Sequence, residues 1–403
     1  MPQATENYRR TICACFIGYM VQASICSFAP LLYVRFQNEF SLTLRQISNL
    51  ITLTFAVQLL VDLLSTAVVD RIGCRTCILA AHALASLGFV LMAFLPQLCS
   101  NPYTGLIIAT VTYSVGAGII EVLVSPVIES CPTTRKAAMM NLLHSFFGWG
   151  QMLVVLLSTA FFSLFGVQSW RVQACIWALL PAANAVLFAK SPIPSLDAEG
   201  AERKLPVRSL LASRMFWLLF LLMICAGACE LAVSQWASAL IETELGVSKA
   251  AGDLAGPCLF ALFMALGRII GTRFDDSDIE TLLSIGGTGC LVSYLMISLA
   301  PWPWLSLTGC ALCGLFVSVM WPATISLASQ NMAGAGTALF GLLALGGDIG
   351  CTAGPTWAGF CAERLDGNLK FGILLSLIFP VLLLLGLRLV RLERNRLNRL
   401  SAR

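Results

Sequence analysis

Long stretches without charge constrain this chain most. No Asp, Glu, Lys or Arg occurs between Arg75 and Glu121, or between Glu280 and Asp348. Of the 403 residues, 58% are hydrophobic and 11% charged, against about 25% charged in an ordinary soluble domain. A soluble fold of this length needs a charged shell that these residues cannot supply. The composition excludes a soluble enzyme, a nucleic-acid binder and a disordered chain. Two histidines argue against a histidine-rich metal site, and a net charge of +4 gives no strong attraction to a polyanion. No metal and no cofactor is expected.

The chemistry of a bilayer then dictates helices, because every backbone polar group must find its partner within the span. About 20 mostly apolar residues are needed for each crossing. Twelve such stretches can be placed. They are the region between Arg10 and Arg35, then 47–69, 76–97, 103–128, 137–164, 172–189, 215–240, 250–272, 281–299, 303–328, 334–361 and 371–390. Asn101-Pro102 and the pair Pro301 and Pro303 mark turns. The fold class expected is therefore all-α and integral to the membrane, with twelve helices in two six-helix halves. The halves are 1–189 and 215–392. A polar, proline-bearing linker over 190–214 joins them, and a basic tail occupies 393–403.

Lys and Arg concentrate on one set of connections: Arg9, Arg10, Arg71, Arg75, Arg135, Lys136, the linker bases, Arg273 and the tail. The opposite set holds Arg35, Arg45, Arg171, Lys249, Arg364 and Lys370. The positive-inside rule places both termini and the linker in the cytoplasm, with the chain in the cell membrane. The first apolar run is long and shows no small-residue cleavage site, so no removable signal is expected. Most cysteines sit within apolar runs and read as small buried hydrophobes; Cys310 and Cys313 form a CxxC there without a second such pair. The glycines at 334, 336, 341, 346 and 350 follow no strand and precede no Lys, which rules out a phosphate loop. Small residues instead let helices pack closely.

Six spans, a linker and six more spans is the layout of a two-half transporter with a central site. Two runs sharpen this. Thr66-Ala67-Val68-Val69-Asp70-Arg71-Ile72-Gly73-Cys74-Arg75 resembles the loop after the second span of the major facilitator superfamily, G-x-x-x-D-R-x-G-R-R. Asp70, Arg71, Gly73 and Arg75 match, while Thr66 and Cys74 depart. Further matches resemble the fucose permease family of sugar–proton symporters. They are Glu121 with Ser125-Pro126, then Asn141, His144, Phe146 and Gly148; Gly267-Arg268 with Gly271-Thr272; Phe316 to Leu327 around Trp321-Pro322; and Gly346-Gly347 with Gly354-Pro355. The resemblance implies proton-coupled uptake of a hexose. Three departures set this chain apart. Pro30 stands where that family has an aspartate near the end of the first span, Ser125 where Asn is usual, and His144 where Gln is usual. The G-P repeat of drug antiporters in the fifth span is absent.

Charged residues inside spans are costly, roughly +2.5–3.5 kcal/mol at a helix centre, so they mark cavities or partners. Glu121 is the expected proton carrier. It lies in an apolar run with no base near it in sequence, where the charged form is disfavoured, and the resemblance points to the same residue. The competing reading is a carboxylate that only bonds helices together. Glu230 is the second candidate, ahead of Gln235 and Trp236, or else a hinge partner beside Gly227. Asp62, Asp70, Arg71, Arg75, Arg268 and Asp348 are expected at gates, with an Asp348–Arg268 pair between the halves. A sugar needs directional amides and a flat aromatic face. Gln22, Asn141, His144, Gln151 and Gln235 supply the first, and Trp149, Trp236, Trp321 and Trp357 the second, though a tryptophan also serves in packing or as an interfacial anchor. Asn141 and His144 are three apart and share a helix face. The expected partners are a neutral hydroxylated molecule, a proton (or sodium, since a carboxylate serves either) and the bilayer. No nucleic acid is expected, and the chain should act as a monomer. An exporter on the same fold, and a sensor without transport, are the alternatives.

Overall fold

The computed structural model describes residues 2–132, 136–193, 207–244, 246–271, 279–332 and 336–401. Among them the secondary structure is helical, with no strand. Eleven helical segments are long and apolar enough to cross a membrane among the described residues. A twelfth helix, Gly336–Arg364, has 29 residues, enough for about 43 Å at 1.5 Å per residue; its glycines and Asp348 dilute its hydropathy. The architecture is the all-α, twelve-helix membrane fold.

The chain divides into two compact units, Met1–Asp197 with Ser248–Leu254, and Ala198–Val247 with Ala255–Arg403. The first unit holds α1 (Pro2–Phe28), α2 (Tyr33–Phe40), α3 (Leu44–Ile72), α4 (Cys74–Leu98), α5 (Pro102–Ser130), α6 (Lys136–Phe165) and α7 (Trp170–Ala189). Thr43 starts α3 with a capping box, its hydroxyl accepting from Gln46 N at 3.2 Å while Gln46 Oε1 accepts from Thr43 N at 2.9 Å. Gly73, at φ +89°, ends α3 and lets α4 begin one residue later; a residue with a Cβ is strained there. Asn101 caps α5 ahead of Pro102 at its first turn. Glycine brings these helices together. A Cβ on Gly116 would sit 2.5 Å from the Ala81 carbonyl of α4, and one on Gly150 of α6 would sit 2.9 Å from Ala23 Cβ of α1.

In chain order there follow α8 (Val207–Leu211), α9 (Arg214–Ser234), α10 (Ala237–Glu244), α11 (Lys249–Asp253), α12 (Leu259–Gly271), α13 (Ile279–Leu299), α14 (Pro303–Val317), α15 (Met320–Asn331), α16 (Gly336–Arg364), α17 (Leu369–Leu375) and α18 (Ile378–Ser401). All but α11 belong to the second unit. Its centre is the α9–α16 contact, where backbone meets backbone. A Cβ on Gly227 would lie 2.2 Å from the Gly347 carbonyl, and one on Gly350 2.0 Å from the Ile224 carbonyl.

Several spans are interrupted. Breaks fall at 29–32, at the π turn Leu254–Cys258, at Ser318-Val319 and at Ser376-Leu377. Each holds a proline or precedes one: Pro30, Pro257, Pro322 and Pro380. A proline has no N–H for the carbonyl four residues back, and Asp253, Ser318 and Ser376 are those residues. Pro96, Pro126, Pro181 and Pro355 leave their helices continuous. The break at Gln235-Trp236 has no proline; there the indole of Trp236 donates to the Pro355 carbonyl at 2.9 Å.

The expected basic tail continues the last helix, since α18 runs on to Ser401. Arg391 and Arg394 each reach Glu280 of α13 at 2.6 Å. The region 190–214 contains the helix α8, and its residues 194–206 lie outside those described.

Candidate functional site

A polar node lies inside the first unit where α1, α3 and α5 meet. Gln22 of α1 donates from Nε2 to Glu121 Oε2 of α5 at 2.5 Å. Gln22 is 4% exposed, and its Oε1 has no hydrogen-bond partner among the described residues. Asp62 of α3 acts on Glu121 as a neighbouring like charge, while the thiol of Cys26 meets the Gln58 side chain one turn away. Gly118 makes this approach possible, since a Cβ there would come within 3.0 Å of Val61 and 3.2 Å of Gln58 Cα.

A second cluster adjoins the node along α5. Ser125 lies one turn beyond Glu121, and its hydroxyl is 3.0 Å from that of Tyr19. The Tyr19 ring meets His144 of α6 edge-on at 5.3 Å, and Phe16 stacks on Phe146 at 4.5 Å. Gln151 Oε1 is buried without a hydrogen-bond partner among the described residues. Unmatched buried amide oxygens are costly, and they suit a polar ligand. Trp149 points elsewhere. It is 41% exposed, on a stripe with Leu142, Leu153 and Leu157, which is the pattern of a lipid-facing surface. Asn141 and Asp70 lie outside the residues whose side chains are described.

In the second unit Glu230 of α9 is 7% exposed and has Arg268 of α12 as its charged neighbour. Gln235, 5% exposed, sits in the break after α9. Trp321 lies flat against Gly347, leaving no room for a Cβ there. Trp236 is fully buried, and its one polar atom is already bonded to Pro355. It packs within the second unit. Trp357 likewise donates to the Leu375 carbonyl beside the break after α17, at 3.2 Å. Arg268 and Asp348 belong to the same unit, so they cannot make the pair expected between the halves.

Among the described residues Arg75 forms no ion pair. Its guanidinium donates to the carbonyls of Phe188, Ala189 and Ser191 at 3.2, 3.0 and 2.7 Å. It therefore caps the carboxyl end of α7, where unpaired carbonyls and the helix dipole favour a cation. Arg71 is exposed.

Two polar centres escaped the sequence reading. Glu39 pairs with Arg35 at 2.7 Å, accepts from the Trp170 indole at 3.1 Å, and bonds Arg171; the Arg35–Glu39 spacing of four was the visible signal. His82 is fully buried, with Nδ1 2.8 Å from the Ile78 carbonyl and Nε2 2.8 Å from Asn184 Nδ2. Asn184 also donates to the Ala14 carbonyl at 3.0 Å. No local pattern announces contacts 102 and 170 residues apart. Among the described residues, no group of three or more His, Cys, Asp or Glu side chains is placed to hold a metal.

The family model of the Major Facilitator Superfamily matches residues 11–355. The chain belongs to that superfamily. It is a multi-pass membrane transporter and not an enzyme. No curated protein sequence matches it. Solved superfamily structures share the fold. A bacterial homologue of the human lysosomal transporter Spinster, inward-facing and occupied, is 15% identical with a TM-score of 0.76, over 94% of this chain and 96% of that one. The nucleoside transporter NupG is 11% identical, TM-score 0.75, over 94% and 99%. The Escherichia coli fucose:proton symporter FucP is 16% identical, TM-score 0.62, over 95% and 99%.

Proposed function

We propose that this transporter takes up a neutral, hydroxylated small molecule, a hexose first among candidates, together with a proton. The two halves, 1–189 and 215–392, would alternate access around a cytoplasmic linker, with both termini cytoplasmic and the protein acting as a monomer in the cell membrane. The observation that carries the reading is Glu121. It is a carboxylate within a span, bonded to a buried glutamine and with no base bonded to it among the contacts described. Acids inside spans mark proton relays and ion pathways. Alternating access needs ligands that bind the two states unequally, and a carboxyl that loads on one side and empties on the other meets that need.

For the substrate, the first unit offers Gln22, His144 and Gln151 with Tyr19 and Ser125, and the second offers Gln235 and Trp321. Amides and hydroxyls beside aromatic rings match a sugar's alternation of hydroxyls and apolar faces. Glu230 with Arg268, and Asp348, are proposed to bias the second unit between states. That FucP carries fucose with protons on the same fold is consistent with this reading, as are the matches around Glu121 and Trp321.

The test is uptake into proteoliposomes of a labelled hexose panel under an imposed proton gradient, with an efflux arm for the exporter alternative. Accumulation above equilibrium is expected, and Glu121→Gln should abolish it while sparing exchange. Retained accumulation in Glu121→Gln would remove this residue from the coupling.

A further inference from the structure

The last helix carries its charges on two faces. Arg391 and Arg394 turn inward, where the Glu280 carboxylate of α13 meets each of them at 2.6 Å. The outward face is different. Ile378, Val381, Leu385, Leu389 and Leu392 are exposed, and they follow one another at spacings of three and four, which makes them one stripe of a helix. On a membrane-spanning helix such an exposed apolar stripe lies against acyl chains. The same spacing continues to Arg396 and Arg399, both exposed, and Arg388 is exposed beside Leu389. Leucines thus give way to arginines along one line of the surface.

Glu393 joins this line to the start of α9. Its carboxylate stands 3.6 Å from Arg396 and 3.7 Å from Arg214. Among the described residues neither guanidinium makes another hydrogen bond or ion pair, and Arg388 and Arg399 make none, so four arginines share one acid. One turn into α9, Trp217 is exposed, and its indole donates to the Leu211 carbonyl at 2.8 Å. An exposed tryptophan with a bonded N–H marks the boundary between hydrocarbon and water. Arg214, three residues earlier, therefore stands at the level of lipid headgroups.

We propose that Arg214, Arg388, Arg396 and Arg399 form a binding site for the headgroup of an anionic phospholipid, whose acyl chains run along the leucines of α18. The planar donor fork of a guanidinium matches phosphate oxygens. Glu393 holds two of these forks together and still leaves the site positive. An acidic protein segment would satisfy the charge alone. A lipid offers an anion at one end of a hydrocarbon chain, and the surface offers arginines at one end of an apolar stripe. Once filled, the site ties the start of α9 to the end of α18.

The purified full-length transporter is melted in nonionic detergent with a fixed amount of phosphatidylcholine, while phosphatidylglycerol is titrated in. The wild-type melting temperature should rise and saturate. Arg214→Gln with Arg396→Gln should raise the concentration needed for half the rise about 25-fold, taking roughly fivefold for each arginine near an anionic surface. Arg9→Gln with Arg10→Gln removes the same charge from two exposed residues of α1 and should keep the wild-type titration. Should loss of both partners of Glu393 prevent folding, Arg388→Gln with Arg399→Gln leaves that acid paired and should weaken the lipid by a similar factor. Inorganic phosphate at matching concentrations should give no rise. The proposal is overturned if phosphatidylglycerol gives no saturable rise, or if both arginine-pair variants of this site titrate like wild type. An equal weakening in Arg9→Gln with Arg10→Gln also overturns it, because diffuse charge then explains the binding. So does a rise with phosphate alone, which would make the ligand a soluble anion.

Discussion

Replacing Gly350 with alanine tests whether the second unit is built on direct backbone contact. The added Cβ would lie 2.0 Å from the Ile224 carbonyl oxygen, 2.8 Å from its carbon and 2.9 Å from Ala228 N. All three are backbone atoms, so no rotamer change relieves the clash. Ordinary contact begins near 3.4 Å, and α9 and α16 must separate by more than 1 Å. A gap of 0.5–1 Å already forfeits a quarter to a half of each dispersion contact. Overpacking of this kind costs about 1–3 kcal/mol. Gly341 on the same helix is the control, because a Cβ there meets nothing within 4 Å. With the same gain in helix propensity, Gly341→Ala should stabilise by about 0.5–1 kcal/mol. Because that gain is common to both variants, they should differ by the overpacking cost alone, about 1–3 kcal/mol, with Gly350→Ala the less stable. Cys229, Cys290 and Cys313, none of them exposed, report unfolding through a thiol-reactive dye as the detergent-solubilised protein is heated. If Gly350→Ala melts with Gly341→Ala, close backbone packing does not hold α9 to α16.

Two further substitutions separate packing from transport. Arg75→Met keeps the apolar stem but leaves the three carbonyls at the end of α7 without their donor; a loss of about 1 kcal/mol is expected after solvent screening. A pure gating residue would change uptake and leave the melting temperature alone. Trp236→Phe removes the indole bond to Pro355 and leaves a buried carbonyl short of a donor, at about 1–3 kcal/mol; melting should fall with hexose affinity unchanged, whereas a selective loss of affinity would return Trp236 to the site.

How much was legible in the sequence follows from which forces are local. Charge-free runs and the bilayer's demand for internal hydrogen bonding are properties of single segments, so the helices, their turns at Asn101-Pro102 and Pro303, and the reversal at Gly73 could all be read directly. Freed carbonyls four residues before Pro257, Pro322 and Pro380 obey an equally local rule, yet Pro126 and Pro355 sit in unbroken helices. Whether a proline breaks a span depends on what neighbouring helices offer the freed group. Side-chain roles are less local still. Nothing in the residues around Trp236, Arg75 or Trp149 says that the first bonds a carbonyl 119 residues away, that the second caps another helix, or that the third faces outward. The chemistry of single segments makes this chain a helical membrane protein and names the few polar residues it buries. That Gln22 of α1 meets Glu121 of α5 beside α3 depends instead on how closely glycines such as Gly118 let the helices approach, which no single segment states.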